Sequence, residues 1–144
     1  MDEARLKIGI SGSYGGMNLG DEAILEGILR QLRATVPAEV TVFSKNPNDT
    51  LARHQVERAV ATRSYTRREM VSEIQLLDLF ILGGGGILYD RDAEEYLREV
   101  MIANDLGIPV LLYGISAGPL VQEASKRAIR AALNVTPAPV ISVR

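Results

Sequence analysis

The sequence predicts an α/β domain in three layers, with a parallel sheet between two layers of helices. Two patterns carry that expectation. Short runs that are apolar at nearly every position alternate with longer segments whose apolar residues recur at three- and four-residue spacing. Three of the short runs also end in glycine-rich segments. Strands that are apolar throughout are buried on both faces, as in a parallel sheet covered by helices. The 144 residues, 47% hydrophobic and 24% charged, are enough for one core and too apolar for a disordered chain.

Residues 6–11, Leu-Lys-Ile-Gly-Ile-Ser, read as the first strand, followed by a glycine-rich loop over 12–20. A helix is expected over 21–35, with Ile24, Leu25, Ile28, Leu29 and Leu32 on one face and Pro37 beyond its end. Val40 to Phe43 is the second strand, closed by turn-forming residues 44–49. Thr50 is a cap for a short helix reaching His54, and 56–61 is a weak third strand. A helix over 66–77 leads to the apolar strand 79–82, which runs into Gly83-Gly84-Gly85-Gly86 as a loop. The segment 92–106 is an amphipathic helix stopped by Gly107 and Pro109. A strand over 109–113 enters the loop 114–119, a helix covers 121–133, and 140–143 is the last strand. Right-handed crossovers then give a Rossmann-like sheet, with all three glycine segments at the carboxyl ends of strands, where such sheets bind ligands.

Composition excludes several chemistries. Sixteen basic residues against 18 acidic ones give a net charge of −2, which exerts no general pull on nucleic acid or anionic membrane. The absence of cysteine removes disulfides, thiol nucleophiles and zinc–thiolate sites. The one histidine, His54, is expected on the surface. No metal-ligand spacing and no cofactor motif stand out. The first five residues are no signal peptide, and the uncharged stretch 106–121 is broken by prolines and glycines and falls short of a bilayer span. A soluble, cytoplasmic protein with no integral membrane segment is the expectation.

Each glycine segment has a plain reading and a functional one. In the first, Gly12-Ser13-Tyr14-Gly15-Gly16-Met17-Asn18-Leu19-Gly20-Asp21-Glu22, the spacing departs from G-x-G-x-x-G, and Ser44 and Lys45 stand where a ribose-binding acid would follow the second strand. Asp21 and Glu22 at the helix start would repel a phosphate. The segment is either a capped helix with a flexible approach, or a cluster in which Asn18, Asp21 and Glu22 accept hydrogen bonds from sugar hydroxyls. Four successive glycines at 83–86 mark either a tight turn or close approach of a ligand to backbone. Gly114-Ile115-Ser116-Ala117-Gly118 fits the nucleophile elbow G-x-S-x-G, but no histidine follows it to complete a triad.

Taken together, the first segment with its N-x-G-D-E start, the four glycines, Tyr113-Gly114-Ile115-Ser116-Ala117-Gly118-Pro119 and Ile141-Ser142-Val143-Arg144 resemble the polysaccharide pyruvyl transferase family. The resemblance implies one half of a GT-B-like, two-domain enzyme. Such an enzyme transfers a pyruvyl group from phosphoenolpyruvate to two hydroxyls of a sugar and releases phosphate. The acceptor would be a sugar or lipid-linked saccharide of a cell-surface polysaccharide or its precursor. The chain stops after a strand with no helix to cover it, so residues 1–144 are expected to be a single N-terminal domain of a longer protein, inactive alone.

Phosphoenolpyruvate carries two anionic groups and calls for arginine or lysine clamps. The glycine loops offer only Arg144 and Arg91, so the donor is expected to lie mainly on a second domain. Asp21 and Glu22 are the expected catalytic carboxylates, either being suited to deprotonate a hydroxyl. Tyr14, Asn18, Gly84, Gly85, Gly86, Ser116, Gly118 and Arg144 are the expected substrate-binding residues. Two alternatives remain open: half of a GT-B glycosyltransferase with a nucleotide-sugar donor, and a nonenzymatic nucleotide- or sugar-binding module.

Overall fold

A computed structural model describes residues 3–143. Six strands, β1 (Leu6–Ser11), β2 (Ala38–Ser44), β3 (Arg58–Ala61), β4 (Leu79–Leu88), β5 (Val110–Ala117) and β6 (Val140–Val143), form one sheet. Its order is β3-β2-β1-β4-β5-β6, and every pairing is parallel. The expected α/β, Rossmann-like class is therefore what the chain adopts.

Five helices connect the strands: α1 (Leu19–Thr35), α2 (Pro47–Arg53), α3 (Arg67–Ile74), α4 (Ala93–Asp105) and α5 (Glu123–Leu133). The alternation of strand side chains divides the core in two. Ile8, Ile10, Val40, Val42 and Ile81 point to one face and pack with Leu25, Ile28 and Leu29 of α1. Phe43, Phe80, Leu82 and Leu112 point to the other, against Met70 and Ile74 of α3, Leu97 and Val100 of α4, and Ala132 of α5. Phe43 and Phe80 meet edge to face at 5.7 Å, a favourable aromatic geometry. The edge strand β6 is exposed along its length. No helix among the described residues is long and apolar enough to cross a membrane.

Local chemistry sets the helix starts. Asn18 caps α1 with its side-chain oxygen, and Thr66 with Glu69 forms a reciprocal capping box at α3. At α2 the expectation changes. The residues read as a turn already contain the helix start, because Asn46 accepts from the Asp49 N–H and Pro47 occupies the first turn, where its missing N–H costs nothing. Thr50 is an interior residue whose hydroxyl lies 2.7 Å from that of Ser44.

The two later glycine segments also differ from expectation. They are not loops beyond the strands but parts of them: Gly83 pairs with Tyr113, Gly85 with Ile115 and Gly86 with Ser116. A hydrogen-bonded ladder needs backbone groups and no side chain, so apolar patterning stops where the pairing goes on. Positive φ at Gly84 and Gly85 (56° and 93°) and at Gly114 (59°) reshapes both strands at these points. The sheet order reverses between β1 and β4, which makes the carboxyl ends of those two strands the switch point where ligands bind in folds of this kind.

Candidate functional site

Three segments converge at the switch point: the loop after β1, and the glycine stretches of β4 and β5. The first loop lies directly on β4, since a methyl group on Gly12 would come within 2.7 Å of the Gly83 carbonyl. Tyr14 locks the two together, its hydroxyl donating to that carbonyl at 3.0 Å. The Tyr14 ring is fully buried, and burial, followed by the nearby carboxylates of Asp21 and Glu22, holds its phenol far above the usual tyrosine range. Tyr14 is thus a strut beneath the loop, and its hydroxyl is already engaged by protein.

Asp21 and Glu22 diverge. Asp21 lies half-buried in the first turn of α1, facing β4: a methyl group on Gly85 would stand 3.8 Å from its Oδ1. Glu22 turns the other way and is buried. Its Oε1 accepts from the Gly15 N–H at 2.8 Å, and its Oε2 meets His54 Nε2 at 2.8 Å. The second ring nitrogen of His54 faces Glu26 Oε2 at 3.2 Å. Both Glu22 oxygens are therefore committed to holding the loop and α2, which gives this carboxylate a positioning role.

His54 itself departs from the surface position expected of it and is 6% exposed. Residues 22 and 26 lie one turn apart on the same face of α1, so a paired acid face was present in the sequence as a signal for it.

Asn18 is exposed and engaged as the α1 cap, accepting from the Gly20 and Asp21 N–H groups at 2.9 and 3.4 Å. Gly84 is overlain by Ile24 of α1, leaving no room for a side chain. Gly86 lies exposed beside Ser116, its partner on β5. Gly118 is tied back to β4 by donating to the Leu88 carbonyl at 3.1 Å. Gly84, Gly85, Gly86, Ser116 and Gly118 thus come together at one end of the sheet, with Asp21 near Gly85. Arg144 lies outside the described residues.

Two residues here were not expected. The Lys45 ammonium reaches across the first loop to the Ser13 hydroxyl at 3.1 Å, bringing a positive charge to this end of the sheet. It was legible only as a residue at the end of the second strand, the position where an acid would have marked a dinucleotide fold. The ring of Tyr89, just past the glycine stretch, lies over both Gly86 and Gly118.

A carboxylate over a glycine floor can accept hydrogen bonds from hydroxyls and take a proton from one. The chain matches the family model described as polysaccharide pyruvyl transferase over residues 18–144. No curated protein matches it. Among solved structures it is similar to the molybdenum cofactor binding protein from the phototrophic bacterium Rippkaea orientalis, with 11% identity and a TM-score of 0.57 over 98% of this chain and 91% of that one. At that identity the likeness is one of fold. It is also similar to a candidate epimerase from Bacteroides thetaiotaomicron, with 19% identity and a TM-score of 0.46 over 77% of this chain and 48% of that one.

Proposed function

The chain belongs to the polysaccharide pyruvyl transferase family, and from that membership we propose that it forms the N-terminal, acceptor-side domain of a transferase using phosphoenolpyruvate. The acceptor is a sugar or lipid-linked saccharide of a cell-surface polysaccharide or its precursor. The donor is held mainly by a second, GT-B-like domain. The donor, a phosphorylated metabolite, places the reaction in the cytoplasm.

In the proposed reaction one sugar hydroxyl attacks C2 of phosphoenolpyruvate while the C2–C3 π pair takes a proton at C3, which becomes a methyl group. Phosphate leaves with its C–O electron pair, and a second hydroxyl closes the ketal at C2. Of the two protons the hydroxyls give up, one balances the proton added at C3 and the other leaves with phosphate. Asp21 is the base for the attacking hydroxyl. Glu22 holds the loop that carries it, and Asn18, Gly84, Gly85, Gly86, Ser116 and Gly118 shape the acceptor floor.

The observation that carries this reading is the division of labour between adjacent carboxylates. Asp21 faces the glycine end of β4, while Glu22 is spent in a buried pair with His54. Two adjacent carboxylates, Asp21 and Glu22, at the start of α1 repel a doubly anionic donor and favour a neutral acceptor on this domain. The test is phosphate release by the complete gene product. Release is expected only when a sugar acceptor is supplied, and Asp21→Asn is expected to slow it by about 10²–10⁴-fold. Phosphate release that is indifferent to sugar, or turnover with nucleotide-sugar donors instead, would overturn the proposal.

A further inference from the structure

Tyr89 is 38% exposed, yet it is one of the most firmly seated residues at the carboxyl edge of the sheet. Its carbonyl accepts from the N–H groups of Asp92 and Ala93 at 3.0 and 2.9 Å, which fixes it at the start of α4. The next residue, Asp90, accepts from the Val121 and Gln122 N–H groups at 2.8 and 3.0 Å, tying the same turn to the segment before α5. The ring lies across two glycines. A methyl group on Gly118 would overlap it, and one on Gly86 would come within 2.8 Å. These two glycines are therefore explained by an aromatic ring coming close to the backbone. The hydroxyls of Tyr14, Tyr96 and Tyr113 meet protein groups, whereas those of Tyr65 and Tyr89 meet none among the described residues.

A ring seated against two glycines, 38% exposed and with a hydroxyl that no described residue engages, has the form of a ligand platform. We propose that Tyr89 is a stacking platform for a pyranose ring of the acceptor saccharide. This rests on the acceptor-side reading above. The apolar C–H face of a pyranose is weakly electropositive and suits the electron-rich face of the phenol. The ring costs little conformational entropy on binding because the backbone beneath it is already fixed. Gly85 and Gly86 are adjacent on β4, so Asp21, which faces the first, and Tyr89, which covers the second, flank the same strand end. A saccharide resting on Tyr89 lies at the end of the strand that Asp21 faces. Asp90 and Asp92, one and three residues beyond Tyr89 in the chain, add negative charge to this turn, which favours a neutral sugar over a nucleotide phosphate.

The test is ligand-observed and tyrosine-ring NMR on the 144-residue chain, titrated with the methyl β-glycosides of glucose, galactose, mannose and N-acetylglucosamine, and separately with uridine monophosphate. At least one glycoside is expected to shift the Tyr89 ring resonances. Tyr89→Ala should weaken its binding at least ~10-fold, and Tyr89→Phe should leave it within about threefold, the equivalents of more than 1.4 kcal/mol and less than 0.7 kcal/mol. Gly118→Ala, which displaces the ring without removing it, should reproduce the loss. A glycoside that binds wild type and Tyr89→Ala equally overturns the platform and leaves the acceptor-side reading standing. No glycoside bound by the wild-type chain, or uridine monophosphate shifting the ring in their place, overturns both.

Discussion

His54 Nε2 stands 2.8 Å from Oε2 of Glu22, and both side chains are buried between α1 and α2. Glu26 Oε2 lies 3.2 Å from the other ring nitrogen, so both nitrogens of the imidazole face carboxylate oxygens of α1. The other Glu22 oxygen holds the Gly15 N–H, so one carboxylate joins the end of α2, the start of α1 and the first glycine loop.

Removing His54 leaves the Glu22 carboxylate buried without its partner. His54→Ala is expected to cost about 3–5 kcal/mol in urea unfolding. Adding Glu22→Gln to it should recover part of that loss, because the stranded charge goes too. Equal losses for the single and double variants would show that the pair is not coupled.

Glu99 of α4 gives the stability curve a second feature. Burial pushes its carboxyl above the usual range, and hydrogen bonds from Thr62 and Arg98 only partly offset this. A carboxyl whose folded-state pKa is raised contributes stability that is complete below its unfolded value of about 4.3 and is lost as pH rises through the folded value. Glu99→Gln keeps an acceptor for the Thr62 hydroxyl and cannot ionise. The Tm of the variant relative to wild type should therefore climb between pH 4 and pH 7, a range on the order of the carboxyl's titration. Parallel profiles would remove Glu99 from the account.

Gly84 and Gly114 both have positive φ, but only Gly84 has a neighbour against it. Gly114→Ala should cost about 1–2 kcal/mol from backbone strain alone. Gly84→Ala should cost at least ~2 kcal/mol, because Ile24 must also move. Denaturant midpoints for the two variants, with and without Ile24→Ala, separate conformational strain from crowding.

Tyr14→Phe removes the hydroxyl that meets the Gly83 carbonyl. Stability should fall by about 1–3 kcal/mol, the cost of an unsatisfied buried acceptor. In the complete enzyme the KM for the acceptor should stay within a few-fold of wild type. A large rise in KM with unchanged stability would place the phenol against substrate instead.

The order of elements was legible because each buried strand and each amphipathic helix declares itself through apolar spacing. Pro47 was less so: a proline in a polar stretch marks a turn and the first turn of a helix alike, and the Asn46 cap decides between them. The glycines of β4 and β5 were legible as unusual but not as strand, since pairing without side chains leaves no periodicity to read. Asp21 and Glu22 are adjacent and alike in sequence. What separates them is His54, a residue 32 positions away that only the fold brings to Glu22. Tyr89 was hidden for a related reason: its place is set by Gly118, on the next strand's loop.

The seam between β1 and β4 bears on how the chain reaches this state. The halves β1–β3 and β4–β6 are each built from neighbouring elements, but they meet where Ile8 to Ser11 pair with Leu79 to Leu82. The Lys7 N–H bonds Asp78 across a separation of 71 positions. Closing a loop of that length carries an entropic cost that grows with its logarithm and is met before the seam's own contacts form. The proposed acceptor site straddles that seam, so its parts come together only when the two halves pair, and neither half holds it alone.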